Sequence, residues 1–176
     1  CLVGSEMCIR DRGYTDVIHV PINRSGSSTY NNAVMAQGML REERPEHHLN
    51  IHLLDPHTYS MVFGWYLCEM ARKLQNGAEL RHVISEFETQ MNKMEVILGP
   101  YSLKQMKKSG RISAAAAVMG ELMGIRPIIT LIDGKTRVES KVRGDDKVIP
   151  AMIDLCKKRT EGVEDFDYMI GHTSIP

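Results

Sequence analysis

The sequence predicts an α/β protein of two domains, a parallel-sheet α/β first domain and a smaller α+β second domain, each only partly present. In the first part of the 176-residue chain, strand-like and helix-like segments alternate, an order typical of a parallel sheet covered by helices. In the second part, strand-like segments flank Asp133-Gly134, a pair that favours the tight turn of an antiparallel hairpin. This change of pattern places the domain boundary near Met94.

The first domain is predicted over residues 13–94. Apolar and β-branched residues predict buried strands in "TDVIHVPI" and in "NIHLLD". Apolar residues at helical spacing predict helices in "TYNNAVMAQGMLREE", "MVFGWYLCEMARKLQNG" and "ELRHVISEFETQMNKM", and Gly77 is expected to end the second helix. The third helix has an apolar stripe that we expect to face the core: Leu80, Val83, Ile84, Phe87 and Met91.

The second domain is predicted over residues 95–176. A strand is expected in "EVILGP", a short helix in "YSLKQMKKSG" and a small-residue helix in "SAAAAVMGELMG". The hairpin "RPIITLIDGKTRVESKV" follows, then a helix in "VIPAMIDLCKKRTEG" and a last strand in "DFDYMIGH". Helices that pack on a sheet containing a hairpin define an α+β domain.

Both ends of the chain show signs of truncation. Residues 1–12, "CLVGSEMCIRDR", have neither a hydrophobic period nor a helix cap, and they resemble translated sequencing-adapter text. We therefore expect them to be foreign to the natural protein, whose gene would begin further upstream. The last residues, "YMIGHTSIP", stop just after a strand-like stretch with no helix to follow, so that we expect the C-terminal end to be cut as well.

Composition narrows the choice of partner and compartment. Lysine plus arginine and aspartate plus glutamate both number 22, so the charge balance does not favour nucleic acid or an anionic membrane as the main partner. No apolar run approaches the roughly 20 residues that cross a bilayer, and no stable membrane insertion is expected. The four cysteines form no CxxC pair, which indicates free thiols in a reducing, cytoplasmic compartment: Cys1, Cys8, Cys68 and Cys156.

The segment "NRSGSSTY", residues 23–30, joins the end of a strand to the start of a helix. Backbone N–H groups point outward at such a place and the helix dipole favours negative charge, so the loop is a candidate site for an anionic group. Ser27 would add its hydroxyl. In the alternative interpretation, Ser28 or Thr29 simply caps the helix. The loop is not a Walker A motif, because no Gly-Lys-Ser/Thr follows at the required spacing.

Two further residues are candidates for ligand binding. Arg111 lies between Gly110, expected to end a helix, and Ser113, expected to cap the next one, so that the fold would direct its guanidinium towards a small acidic ligand. The alternative for Arg111 is a solvated surface charge. His172 follows an apolar strand, at the end where sites of sheet proteins collect. None of the seven histidines forms a strong metal-binding pattern, and no metal site is predicted.

Four segments, in chain order, resemble the DegV family of bacterial fatty-acid-binding proteins: "VIHVPINRSGSSTYNNA", "LLDPHTYSMVFGWYLCEMA", "YSLKQMKKSGRISAAAAVMGELMGIRPIITLIDGKTRVESKVRG" and "YMIGH". The resemblance runs from about Asp16 to the end of the chain. It implies a DegV-like two-domain fold. It also implies a fatty acid with its acyl chain in an apolar tunnel and its carboxylate at the domain interface.

The resemblance further implies a carrier and not an enzyme. Its partners would be a long-chain fatty acid and a separate ATP-dependent, dihydroxyacetone-kinase-like fatty acid kinase that makes the acyl phosphate. By position, Ser27 and His172 would bind the lipid carboxylate, whereas Arg111 and Arg143 would lie nearer the phosphoryl transfer or the kinase surface. The carrier hypothesis predicts that these arginines and His172 converge at one end of a long cavity. No catalytic residue, metal or cofactor is implied, and the bound ligand is the fatty acid.

The loop of residues 23–30 departs from the family pattern Ser-Ser-Gly-Leu-Ser-Gly-Thr-Tyr. Gly26 replaces the leucine, Ser28 replaces a glycine and Arg24 is an addition. The geometry of the head group therefore depends on residues that the family pattern does not supply.

An alternative function is a small-molecule phosphotransferase or hydrolase that uses loop 23–30 as a phosphate cradle. Such an enzyme needs a metal-binding carboxylate near the loop. The sequence offers no clear candidate, because Asp16 precedes its strand and Asp55 ends another strand.

Overall fold

The computed structural model describes residues 12–46, 49–59, 61–108 and 122–173. The chain divides into two compact units between Met94 and Glu95. The first contains a parallel pair of strands and the second an antiparallel sheet of three strands, so the predicted α/β fold class is confirmed. Most of the predicted small-residue helix, residues 113–121, lies outside the described ranges, as do residues 1–11.

Among the described residues, the first unit has two strands and three helices in the predicted order: β1 (Asp16–His19), α1 (Thr29–Glu43), β2 (Asn50–Leu53), α2 (Met61–Gln75) and α3 (Leu80–Met91). β1 and β2 pair in parallel, with Val17 opposite Ile51. Parallel neighbours require a crossover connection, which α1 provides. Gly77 has a φ of +85°, a left-handed conformation that glycine adopts without strain and that ends α2 as predicted.

The core of the first unit lies under α2 and α3. Its buried members are Leu54, Met70, Val83, Phe87 and Met91. The last three belong to the predicted apolar stripe of α3, and each is only 1% exposed. The helical period of apolar residues therefore identified the buried face of this helix correctly.

The second unit is built on a hairpin: β3 (Glu95–Leu98), α4 (Lys104–Lys108), β4 (Ile125–Ile132), β5 (Lys135–Arg143), a 3₁₀ helix (Asp145–Lys147) and α5 (Val148–Arg159). The strand order is β3-β4-β5, antiparallel throughout. Asp133 and Gly134 have φ values of +47° and +70°, which are the left-handed conformations that a tight hairpin turn requires. The predicted hairpin is confirmed.

Both ends of helix α5 contact the rest of the second unit. Val148, its first residue, is fully buried. At its last residue, the guanidinium of Arg159 lies 3.3 Å from a carboxylate oxygen of Glu95 and 3.2 Å from one of Glu139. The same Glu139 oxygen accepts a hydrogen bond of 2.8 Å from the buried hydroxyl of Thr130. Arg159 thereby links the end of α5 to β3 and β5 directly and to β4 through Glu139.

The strand predicted in "DFDYMIGH", residues 165–172, is not formed. A strand requires the backbone of a neighbouring strand for its hydrogen bonds, and no described strand pairs with this segment. Its apolar side chains are largely in solvent, since Tyr168 is 75% and Ile170 82% exposed. The prediction of a strand in this segment is therefore wrong, because its apolar residues do not supply the pairing partner that a strand requires.

The hydrogen bonds of Asp16 are expected to make the stability of the first unit depend on pH. Its carboxylate accepts hydrogen bonds from Nε2 of His52 (2.9 Å) and from the hydroxyl of Thr15 (2.8 Å). The bond from His52, followed by that from Thr15, lowers the pKa of Asp16 below its usual value of 3.8. A lowered pKa contributes stability that is present above the usual value and is lost as the pH falls through the lowered one.

We therefore expect Asp16→Asn to lower the urea midpoint of unfolding relative to the wild type above pH 3.8, and the two midpoints to converge as the pH falls below that value. Fluorescence of Trp65, the only tryptophan of the chain, follows the unfolding of this unit. Glu88→Gln, at an exposed position of α3, is the control and should show no such convergence. A difference between D16N and the wild type that stays constant with pH would contradict this role of Asp16.

Candidate functional site

Two polar loops lie side by side at the carboxyl ends of β1 and β2. We call residues 20–28 loop A and residues 54–59 loop B. The backbone N–H of Asn23 in loop A donates to the carbonyl oxygen of Thr58 in loop B at 3.1 Å, and both residues are almost completely buried. Ligands of α/β proteins bind at this edge of a parallel sheet, so the paired loops form the candidate site.

Asp55 joins the two loops. Its Oδ1 accepts hydrogen bonds from the backbone N–H of Arg24 (3.3 Å) and from that of His57 (3.0 Å). Its Oδ2 lies 4.0 Å from Nε of Arg24. The second bond closes a turn in which His57 has a φ of +52°, a conformation that is uncommon outside glycine. The sequence offered no clear candidate for a carboxylate near this loop. The structure corrects this, because it places the carboxylate of Asp55 against loop A.

Gly26 is required by the fold of loop A. Its N–H donates to the carbonyl oxygen of Asn23 at 3.1 Å, which closes a tight turn. A Cβ at this position would lie 2.7 Å from Oδ1 of Asn23. The Asn23 side chain has little room to move aside, because it is buried and its Nδ2 donates to the hydroxyl of Ser25 at 2.9 Å.

The hydroxyl of Ser27 forms hydrogen bonds with the first residue of α1. Its Oγ accepts a hydrogen bond from the N–H of Thr29 at 3.2 Å and lies 2.6 Å from the Thr29 hydroxyl. Ser28, the residue before the helix, makes no capping hydrogen bond with its side chain. The expectation that Ser28 or Thr29 caps the helix with its side chain is therefore wrong for Ser28, and Thr29 contributes its N–H as a donor to Ser27.

Arg24 lies beside the same helix end. Its guanidinium carbon is 5.3 Å from the centre of the Tyr30 ring, within the range of a cation–π contact. Tyr30 is the second residue of α1. The first turn of this helix thus has two hydroxyls and one guanidinium around it, those of Ser27, Thr29 and Arg24.

The remaining predicted site residues belong to the second unit. Arg143 ends β5 opposite Ile125 and, together with Lys141, Val142, Ile125 and Met123, lines a cavity of about 280 Å³. His172 is exposed in the segment that follows α5, and not at a strand end as predicted. Arg111 lies outside the described residues, so its convergence with Arg143 and His172 stays a prediction.

The first unit has a cavity of about 190 Å³ between α2 and α3, with Trp65, Tyr66, Met70 and Phe87 in its wall. Both this cavity and the one at Arg143 are smaller than the roughly 300–1,000 Å³ of ordinary small-molecule pockets. An acyl tunnel therefore stays a prediction. In the described part of the chain, no helix combines the length and the apolar character needed to cross a membrane. Within the same ranges, no group of three or more His, Cys, Asp or Glu residues is placed to hold a metal ion.

Sequence reasoning missed the roles of Asp55 and Arg24. A local signal was present for Asp55, because "DPH" is a turn sequence in which the aspartate accepts the N–H of the residue two positions on. No comparable signal exists for Arg24, whose contact with Asp55 spans 31 residues of sequence.

The structure defines a two-unit α/β protein with paired polar loops at the carboxyl edge of its parallel strands. A family model described as "Uncharacterised protein, DegV family" matches residues 7–175. The chain belongs to the DegV family, as the resemblance in the sequence implied.

The chain is also similar to proteins of known sequence or structure. The chain is 30% identical over 143 residues to a DegV domain-containing protein of Clostridium perfringens, a match that covers 81% of this chain and 50% of the relative. It is similar to a stearic-acid-binding protein from Eubacterium ventriosum (TM-score 0.74, 22% identity, 89% of this chain and 53% of that one). It is also similar to a fatty-acid-binding DegV family protein from Streptococcus agalactiae (TM-score 0.71, 25% identity, 90% and 54%). The chain spans about half the length of these relatives.

Proposed function

We propose that this chain belongs to a cytoplasmic fatty-acid-binding carrier, which holds a long-chain fatty acid in an apolar tunnel and is not itself an enzyme. The observation that supports it most is the DegV membership of the chain, together with similar structures described as binding stearic acid or fatty acids. Loops A and B at the edge of the sheet also supply polar groups with which the carboxylate of the fatty acid could interact. The carboxylate would lie at the interface of the two domains.

The two ends of a fatty acid contribute differently to binding. A chain with about 14 buried methylenes at roughly 0.8 kcal/mol each gains about 11 kcal/mol. A charge-assisted hydrogen bond to the carboxylate adds about 1.5–3 kcal/mol. The acyl chain therefore supplies most of the affinity, and the polar residues orient the carboxylate.

Ser27 is suited to donate a hydrogen bond to a carboxylate. Its oxygen already accepts the N–H of Thr29, and the hydroxyl of Thr29 is close enough to donate to it as well. In that arrangement the Ser27 proton remains available for the ligand. We propose Ser27 and His172 as the residues that bind the lipid carboxylate.

The first test is native mass spectrometry of the protein to which this chain belongs, purified at full length, which we expect to carry one fatty acid per molecule. Ser27→Ala should weaken fatty acid binding about tenfold or more, the equivalent of one charge-assisted hydrogen bond, as measured by displacement of a fluorescent fatty acid. Ser28→Ala is the matched control, because the neighbouring serine makes no side-chain cap bond. A folded protein that binds no fatty acid would contradict the carrier function, and equal affinities of the two variants would contradict the role of Ser27.

The proposed partner is an ATP-dependent, dihydroxyacetone-kinase-like fatty acid kinase, to which the carrier presents the carboxyl oxygen. Arg111 and Arg143 would lie nearer the phosphoryl transfer or the kinase surface, where guanidinium groups pair well with phosphate. Arg143 is at the end of β5, an exposed position.

We expect Arg111→Ala and Arg143→Ala to leave the amount of bound fatty acid unchanged and to slow acyl phosphate formation by the kinase about tenfold or more. Arg137→Ala, another exposed arginine of β5, is the control for Arg143. Unchanged rates would count against both arginines.

The phosphotransferase or hydrolase alternative has one supporting observation, since Asp55 contacts loop A. Phosphate release from ATP by the chain without any kinase would favour that alternative.

A further inference from the structure

The first turn of α1 lacks the acidic group that usually complements a helix N-terminus. No aspartate or glutamate lies in that turn, and the helix dipole leaves a partial positive charge there. Helix α3 of the same unit shows the ordinary arrangement, in which the carboxylate of Glu79 accepts a hydrogen bond from the N–H of Arg81. The first turn of α1 is therefore electropositive, with no acidic residue of its own, and the carboxylate beside Arg24 comes from Asp55 of loop B.

Arg24 adds a full positive charge at this place. Its guanidinium lies over the ring of Tyr30, in the first turn. Cations are unfavourable near a helix N-terminus, so the helix dipole does not account for the position of Arg24, which depends on its contacts with Asp55 and Tyr30. An anion that binds there would interact with both positive groups.

Two residues hold the guanidinium in place without burying it. The backbone of Arg24 is tied to Asp55 by a 3.3 Å hydrogen bond, and its Nε lies 4.0 Å from the other carboxylate oxygen. Tyr30 provides the aromatic face. The Arg24 side chain is nevertheless 62% exposed. Because guanidinium has five N–H donors in a fixed plane, donors remain for a ligand.

We propose that Arg24 is a specificity-determining residue, which makes the protein select lipids with an anionic head group over lipids of equal chain length with a neutral one. This inference rests on the proposed fatty acid binding and concerns the head group alone. A carboxylate near loop A gains an ion pair with Arg24 as well as its hydrogen bonds, whereas a neutral hydroxyl head group can only accept a weaker hydrogen bond. The acyl chain contributes equally in the two cases.

The test compares palmitic acid with hexadecanol, which have the same number of carbons and differ in head-group charge. For the wild type we expect tighter binding of the acid, measured by displacement of a fluorescent lipid. Arg24→Gln should weaken binding of the acid about tenfold and weaken binding of the alcohol much less. Arg24→Lys keeps the charge and should retain most of the preference. Arg41→Gln, at the opposite end of α1, is the matched control and should behave like the wild type.

The outcomes separate the two proposals. If the wild type prefers the acid and R24Q keeps the full preference, the inference on Arg24 is wrong while the carrier function stands. If R24Q loses affinity for both lipids to the same extent, Arg24 has a structural role only and the inference is again wrong. If the wild type binds neither lipid, the carrier function fails and this inference fails with it. Trp65 fluorescence in urea establishes that each variant is folded.

Discussion

Phe87→Ala is expected to lower the free energy of unfolding of the first unit by about 3–5 kcal/mol. The side chain is 1% exposed and belongs to the cluster formed by Leu54, Met70, Val83 and Met91. Truncation removes the transfer free energy of the aromatic ring and leaves a cavity that the surrounding helices fill only in part. The total stability of an ordinary domain is about 5–15 kcal/mol, so this single change removes a large fraction of it.

Urea unfolding followed by Trp65 fluorescence measures this loss, because the only tryptophan of the chain lies on α2, which packs against α3. Glu88→Ala changes the next residue of α3, which is exposed, and serves as the control with an expected change within about 0.5 kcal/mol. If both variants shifted the midpoint equally, Phe87 would not be part of a tightly packed core.

Gly99→Ala is expected to destabilise the second unit by about 1–3 kcal/mol. A Cβ at Gly99 would approach Val148 and Met152 of α5 more closely than van der Waals contact permits. Val148 is fully buried and therefore has no free space into which it can move. Accommodation requires α5 to shift away from the sheet, at the cost of its packing.

The matched control is the same substitution at Gly64, in the interior of α2, where an added Cβ meets no atom within 4 Å. Alanine is the better helix former, so Gly64→Ala is expected to stabilise the protein by about 0.4–1 kcal/mol. Far-UV circular dichroism in urea measures both changes. Effects of the same sign at the two glycines would contradict the close packing of Gly99 against α5.

Local patterns were sufficient to predict most of the elements. Helix α1 spans Thr29–Glu43, the bounds of the segment that the sequence indicated, because helix ends depend on nearby residues such as Pro45. The hairpin followed from two residues that tolerate positive φ. The strand predicted at residues 165–172 was wrong for the converse reason. Whether an apolar segment forms a strand depends on a partner that is distant in sequence.

The candidate site was predictable in position but not in its contacts. Loop A was found because anions bind between the end of a strand and the start of a helix, and Ser27 lies there. The tie between Arg24 and Asp55, like that between Asn23 and Thr58, joins residues more than 30 positions apart. The stacking of Arg24 on Tyr30 likewise depends on how loop A folds. Such contacts depend on the tertiary structure. The order of residues within the loop gives no information about them.

The contacts of Arg159 affect the order in which the elements of the second unit unfold. Helix ends usually fray, and their amide protons exchange with solvent sooner than those of a sheet. Here the last residue of α5 contacts Glu95 and Glu139, and Glu139 in turn holds Thr130. Separation of the helix end would leave both carboxylates without their shared guanidinium. The amide protons at the end of α5 should therefore exchange in one cooperative event with those of the three strands.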